Sequence, residues 1–512
     1  MKPLFKFLAK NYDKIIICFI LIIASFYRLY RIRDYLTFLG DEGRDVLVVY
    51  KILHGSLTLL GPTASVGGFF LGPIYYYFMA PFLWLFNYDP VGPAIMVALF
   101  GIATVWLVYK VGKELFGASV GIIAAGLYAI SPLVVTYSRS SWNPNLMPFF
   151  SLLTLYFVYK SLLKDSFKLF VLSGFLFGIT MQLHYLAVFL GVIIFVYILL
   201  YQSVYSKINF LSKIIKQYLS FFLGFLVGWS PFLAFEFRHG FKNIISIFNF
   251  VFHGQETSGN AHFFSTFDNV FFRIFGRLIT NDPKTNINYW YLVTLALGIF
   301  SIGFLLYKCF KEYKLRSQDF GKLSLILVWF IFGVGFFGFY KKSIYDYYFG
   351  FMFPLPFLIV GIMLKSFWTN KFGKVLSVII LIILVWLNSL TPFFAYPPNK
   401  QLDQAETIAR FVIEKTDNMP FNFALIAGGN SDHAYRYFFT LWKKDPSTIE
   451  NVAVDPKRNT VTNQLLVVCE DAVCEPLGNS LWEIAGFGRA DIADEWNVSV
   501  VRVFKLVHYI GK

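Results

Sequence analysis

Runs of about 18–20 apolar residues, each long enough as a helix to cross ~30 Å of hydrocarbon, recur from the N-terminus to about Tyr396 and then stop. Their spacing predicts about eleven spans, near 15–30, 92–110, 118–137, 146–163, 167–183, 186–202, 217–236, 288–307, 322–340, 346–364 and 373–391. A further run, FFLGPIYYYFMAPFLWLF from Phe69 to Phe86, decides the topology, because counting it as a span reverses every later loop. Basic residues argue against that. With the run not spanning, Lys2, Lys6, Lys10 and Lys14, then Lys110, Lys113, Lys160, Lys164, Lys168, Lys207, Lys213, Lys216, the group Lys308 to Lys322, and Lys365, Lys371 and Lys374 all share the cytoplasmic side. Residues 69–86 are therefore expected to be interfacial or re-entrant on the outer face, interrupted by Gly72, Pro73 and Pro81.

This parity puts the N-terminus in the cytoplasm. It places loops 31–91 and 237–287, the short loops SRSSWNPN and YKKSIYDYY, and the C-terminal region outside. From Pro397 onward the pattern changes to short apolar stretches among charges, Pro and Asn. FNFALIAGG, LLVVCE and VSVVRVFKLVH read as strands, and SDHAYRYFFTLWKK as a helix capped by Ser431 or Asp432. The expected organisation is an all-α polytopic membrane domain over 1–396 and a small α/β extracytoplasmic domain over 397–512.

Composition narrows the class. Residues are 57% hydrophobic and only 15% charged, which excludes an ordinary water-soluble fold. The net charge of +15 is spread in small groups between apolar runs, so it signals topology and not nucleic-acid binding. The apolar stretch Ile15 to Tyr27 has no small-residue cleavage site and is expected to stay as the first helix. Cys469 and Cys474, in CEDAVC, are either a disulfide or two buried thiols. No Gly-rich phosphate loop follows a strand in the N-terminal region, which argues against a nucleotide sugar as donor, and GGNS in the C-terminal region is no dinucleotide fingerprint.

The chemistry concentrates in RLYRIRDYLTFLGDEGRDVLVVYKILHG, directly after the first span. Helix capping explains part of it, with Asp41 as N-cap, Glu42 and Asp45 in the first turn and Gly55 as the stop. A carboxylate held at the membrane mouth also suits a general base acting on an acceptor hydroxyl. Arg31, Arg33 and Arg44 either neutralise the acidic pair or bind an anionic phosphate.

The DE pair after the first span, LGPIYYYFMAPFLWLF, KELFG, AISPLVVTYSRSSWNPNLMPFF, KKSIYDYYFGFMFPLPFLIVG and FALIAGGNSDHAYRYFF, in that order, resemble the PMT and RgtA-like branch of the GT-C glycosyltransferase superfamily. That resemblance implies a GT-C fold with outer-face juxtamembrane helices and inverting transfer of a sugar from a polyprenyl-phosphate donor to an extracytoplasmic glycan, lipid or protein, at the plasma membrane. It implies Asp41 as base and Glu42 as its neighbour. A DxD is missing from this loop, so no cofactor is required by the pattern, and a divalent metal stays an open option. Candidate donor and acceptor ligands are Arg44, Arg139, His184, Arg238, His239, Lys341, Lys342 and Tyr345, each with the competing reading of an interfacial anchor or packing residue. The competing classes are a flippase or transporter for a lipid-linked substrate and a non-catalytic assembly subunit. Few charges lie within the spans, which disfavours a proton-coupled transporter.

Overall fold

The computed structural model describes residues 2–64, 67–206, 209–252, 263–282, 289–340 and 343–511. Contacts divide the chain into two compact units. One holds residues 1–30, 58–78 and 95–397; the other holds 31–57, 79–94 and 398–512. Residues 31–57 and 79–94, expected with the membrane part, group with the C-terminal residues.

The first unit is helical. Among the described residues seven helices are long and apolar enough to cross a membrane: Val91–Phe116, Asn143–Lys164, Tyr185–Tyr205, Phe210–Gly228, Tyr291–Leu315, Gln318–Phe339 and Lys371–Ser389. An eighth is counted if the pair Asp346–Met352 and Pro354–Thr369, bent by 56°, forms one span. The expected segments 118–137 and 217–236 are broken, the first by Pro132 between Ala118–Ile130 and Pro132–Tyr137, the second between Phe210–Gly228 and Ser230–His239. Phe167–Leu183 is apolar but short. The run at 69–86 forms the helix Ile74–Leu85, whose 12 residues extend only ~18 Å, too short to cross the hydrocarbon. The long loop 237–287 carries two helices, Lys242–Phe252 and Phe263–Phe275.

Glycines bring two of these helices into backbone contact. A Cβ at Gly174 would lie 1.9 Å from the Phe221 carbonyl oxygen, and one at Gly224 1.9 Å from that of Val171. Gly178 and Gly228 repeat the arrangement one turn on, so Phe167–Leu183 and Phe210–Gly228 each offer a small-xxx-small stripe to the other. Trp329, Tyr128, Tyr197 and Phe275 are fully buried in the unit's core. The packing is aromatic because large rings fill space between helices where lipid gives no hydrophobic drive.

The second unit contains a four-stranded mixed sheet of β1 (Asn422–Ile426), β2 (Gln464–Cys469), β3 (Ala490–Val498) and β4 (Val501–His508), in the order β1-β2-β4-β3. β1 and β2 are parallel, with the helix His433–Leu441 in their connection, and β4 runs antiparallel to both β2 and β3. β2 is buried along its whole length, as its unbroken apolar run requires. Cys469 and Cys474 form a disulfide at the end of β2.

Candidate functional site

The acidic pair opens the helix Gly40–Leu53. Asp41 is not the N-cap: the helix begins one residue before it, which puts Asp41 in the first turn. Capping falls to Glu42, whose Oε2 accepts the Leu39 N–H at 3.0 Å. The stop is where the sequence put it, with His54 at the C-cap and Gly55 at φ +96°.

The two carboxylates of the pair differ sharply. Asp41 is exposed, with 54% of its side chain open to solvent, and it pairs with Arg44 at 2.9 Å. Glu42 is buried, and burial, with some help from Asp41 and Asp45, pushes its carboxyl up to about 7. Arg44 also holds the fully buried Asp45 through two hydrogen bonds, at 2.8 and 3.0 Å. Arg44 therefore neutralises carboxylates, and the other two nearby arginines do the same. Arg31 binds Asp34 at 2.6 Å, while Arg33 meets Asp89, Asp403 at 2.8 Å and Glu406 at 3.2 Å.

Glycine spacing explains how this helix is seated. A Cβ at Gly40 would lie 2.0 Å from Ser431 Oγ, and one at Gly43 2.3 Å from the Ala434 nitrogen. Gly-Asp-Glu-Gly thus lays one face of its first turn directly on the helix His433–Leu441. That second helix is not capped by Ser431 or Asp432 side chains as expected. Asp432 binds Arg436, and Ser431 Oγ lies 2.8 Å from His433 Nδ1.

A divalent ion does not fit this donor set. Asp41 and Asp45 are both engaged by Arg44, Glu42 is turned onto Leu39, and among the described residues no group of three metal-ligating side chains converges.

The other sequence candidates lie in the first unit. Arg139 is buried and donates to the carbonyls of Tyr27 at 2.6 Å and Tyr30 at 2.8 Å, with its guanidinium 3.8 Å from the Phe393 ring centre. It closes the end of the first helix, Lys2–Leu29. His184 is buried, accepts the Leu186 N–H at 3.2 Å and stacks on Tyr185. Arg238 and His239 are exposed at the end of Ser230–His239, where His239 stacks on Phe235. Tyr345 is exposed and stacks on Tyr347. Lys341 and Lys342 lie outside the described residues.

Two features of this unit were not read from the sequence. An apolar cavity of about 660 Å³ is lined by Phe69, Leu71, Tyr185, Phe189, Trp229 and Tyr340, among others. The rings of Tyr185 and Tyr340 meet Tyr348, at 6.3 and 5.8 Å between centres, and Tyr348 is two residues from Asp346. Asp346 is the second feature: a buried carboxylate shared by Arg277 and, at 3.5 Å, Arg273. Both arginines come from FFRIFGRLIT, where i, i+4 spacing and a π-helical turn over Gly276–Thr280 bring them to one carboxylate. That spacing inside an apolar run was the available signal.

Residues 71–235 match the family of dolichyl-phosphate-mannose-protein mannosyltransferases. Comparison with curated proteins finds no match. Among solved structures, ArnT from Cupriavidus metallidurans in the apo state is similar over 97% of this chain and 98% of that one, at 12% identity and a TM-score of 0.60. The same protein bound to undecaprenyl phosphate gives 0.58 at 11% identity, over the same shares of both chains. The archaeal oligosaccharyltransferase AglB from Archaeoglobus fulgidus, in complex with an inhibitory peptide and a dolichol-phosphate, gives 0.56 at 14% identity over 90% of this chain and 70% of that one. The family match is confined to residues 71–235, and the solved structures, at 11–14% identity, share this chain's fold.

Proposed function

We propose that the protein transfers a sugar from a polyprenyl-phosphate donor to an extracytoplasmic acceptor, with inversion at the anomeric carbon. The observation that carries this reading is the apolar cavity of about 660 Å³, whose wall residues Tyr185 and Tyr340 meet Tyr348 in the segment bearing Asp346 and its two arginines. The cavity suits an isoprenoid chain. Two guanidiniums on one carboxylate leave positive charge that suits a phosphate. Undecaprenyl phosphate bound to ArnT supports the same ligand class.

In this reading Asp41 takes the proton of an acceptor hydroxyl as that oxygen attacks the anomeric carbon. The bond from that carbon to the phosphate oxygen breaks, and the electron pair leaves on the polyprenyl phosphate. Arg273 and Arg277, assisted by Arg238, Lys341 and Lys342, stabilise the departing charge. Asp41 is the member of the pair open to solvent, whereas Glu42 is committed to the helix end.

Residues 397–512 and Asp41 lie outside the cytoplasm in this reading, the N-terminus inside. The Cys469–Cys474 disulfide supports that side, since such bonds persist in oxidising compartments. Cysteines placed at Ser166 and Ser447 report it: Ser447 labels in intact cells, Ser166 only after permeabilisation. The reverse pattern would return residues 69–86 to a span. Activity is tested with purified, reconstituted protein and undecaprenyl phosphate carrying radiolabelled mannose or aminoarabinose. Sugar transfer with release of undecaprenyl phosphate is expected, and transport of the intact lipid across the vesicle without transfer would favour a flippase.

A further inference from the structure

Nothing so far gives the loop Gly428–Gly429–Asn430 a task, yet its last residue touches the acidic motif. Asn430 Oδ1 accepts the Gly40 N–H at 2.8 Å. Gly40 is the first residue of the helix that carries Asp41, and its N–H is one of the donors that no helical carbonyl can satisfy. The same oxygen accepts the Ser431 N–H at 2.9 Å. On its other side, Asn430 Nδ2 donates to both oxygens of Glu470, at 2.9 and 3.1 Å, and the Tyr435 hydroxyl donates to Glu470 Oε1 at 2.6 Å. Glu470 is itself fixed: its N–H extends the β1–β2 ladder to the Ile426 carbonyl at 2.9 Å, and it follows the disulfide-bonded Cys469. Asp471 Oδ1 holds the loop from below through the Gly428 N–H at 3.0 Å.

These bonds have a direction. Glu470 accepts from the Asn430 amide, which forces the Asn430 oxygen toward Gly40. An amide without that partner could turn over and present its NH₂ to a backbone N–H. A small cavity of about 200 Å³ adjoins the network, bounded by Phe38, Leu39, Asn430, Tyr435 and Glu470, so the helix start has room to shift when the bond is lost.

We infer that Asn430, oriented by Glu470, is a positioning residue for the carboxylate at Asp41: it acts as a remote cap that sets the start of the Gly40–Leu53 helix. The inference rests on the reading of Asp41 as base, and it concerns the placement of that base and not its identity.

The test is an exchange of roles between two side chains. Asn430→Asp keeps an oxygen for the Gly40 N–H but sets a second carboxylate against Glu470. Glu470→Gln added to it supplies an amide that donates back to the new carboxylate, while its oxygen still accepts from Tyr435, so the double variant restores one bond between the two side chains with its polarity reversed. Hydrogen exchange of the peptide covering residues 38–44 is expected to speed up in Asn430→Ala and Asn430→Asp, and to return toward wild type in the double variant. Turnover with undecaprenyl phosphate carrying radiolabelled mannose is expected to follow the same order. It falls about ten- to hundredfold in the single variants and recovers in the double, with the donor KM within about twofold throughout. Unchanged exchange in Asn430→Ala, or a double variant no better than Asn430→Asp, overturns the inference, as does an equal rise in donor KM. Asp41→Asn, run beside them, separates the two readings. If it keeps full turnover, the base assignment fails while the exchange data still decide the role of Asn430.

Discussion

Three ion groups, two in the second unit and one in the first, have opposite stoichiometry. In the second unit Arg33 faces Asp89, Asp403 and Glu406, and Arg44 faces Asp41 and Asp45. In the first unit the carboxylate is outnumbered, with Asp346 between Arg273 and Arg277. Evenly matched pairs leave little for a substrate, since each charge is satisfied by its partner. Unequal groups leave a remainder, and its sign tells what it can do. A surplus carboxylate that is also exposed, as Asp41 is, can accept a proton; a surplus guanidinium can hold a phosphate.

The largest test of this contrast is Asp41→Asn, which keeps the shape and removes the basicity. It is expected to lower turnover about 10²–10⁴-fold at saturating donor and acceptor, with normal amounts of folded protein in the membrane. Wild-type turnover would shift the surplus to another carboxylate and break the comparison on the acidic side. Next in size, Arg277→Ala or Arg273→Ala should weaken donor binding about ten- to hundredfold, read as a rise in donor KM or by direct binding of undecaprenyl phosphate. Unaltered binding would reduce that cluster to a structural ion pair. Arg33→Ala is the control from a group with no exposed surplus in the acidic motif. It should cost about 1–2 kcal/mol of stability, seen as a lower melting temperature, and leave donor affinity alone.

The smallest effect sharpens the distinction between neighbours. Glu42 titrates near 7 in the fold against 4.5 ordinarily, because burial disfavours its charge. The folded state therefore binds a proton more tightly than the unfolded state. Its contribution is full below pH 4.5 and declines as pH rises through about 7. Glu42→Gln should flatten the fall in melting temperature between pH 4.5 and 8 and change turnover only a few-fold, because the amide oxygen still accepts the Leu39 N–H. An unchanged pH profile would show that Glu42 ionises without penalty.

Local patterns were legible and long-range partners were not. Apolar runs disclosed most of the helices, and the alternating or unbroken apolar stretches disclosed β1, β2 and β4, since periodicity and burial are local properties. Breaks at Pro132 and at Gly228 to Ser230 were missed because hydropathy averages over a window and does not see a bend. Asp41 and Glu42 stood out as a pair, but their division of labour depends on burial. Burial in turn depends on the helix His433–Leu441, whose contact with Gly40 and Gly43 no local pattern announces. Arg139 shows the converse. Its place at a helix end suggested a phosphate ligand, and the structure spends its guanidinium on two carbonyls.

The split of the second unit into three stretches has a consequence in time. Arg33 waits for Asp403 across 370 positions of chain, and Gly40 waits for Asn430 across 390. At ~5–20 residues per second, a ribosome needs about 20–80 s to deliver those partners. Throughout that interval the first loop has left the ribosome without the residues that fold it, while helices between them are still entering the membrane. A nascent chain is thus exposed to proteases at its acidic motif until those partners are made, and a chain cut short before residue 430 lacks the Asn430 bond to Gly40.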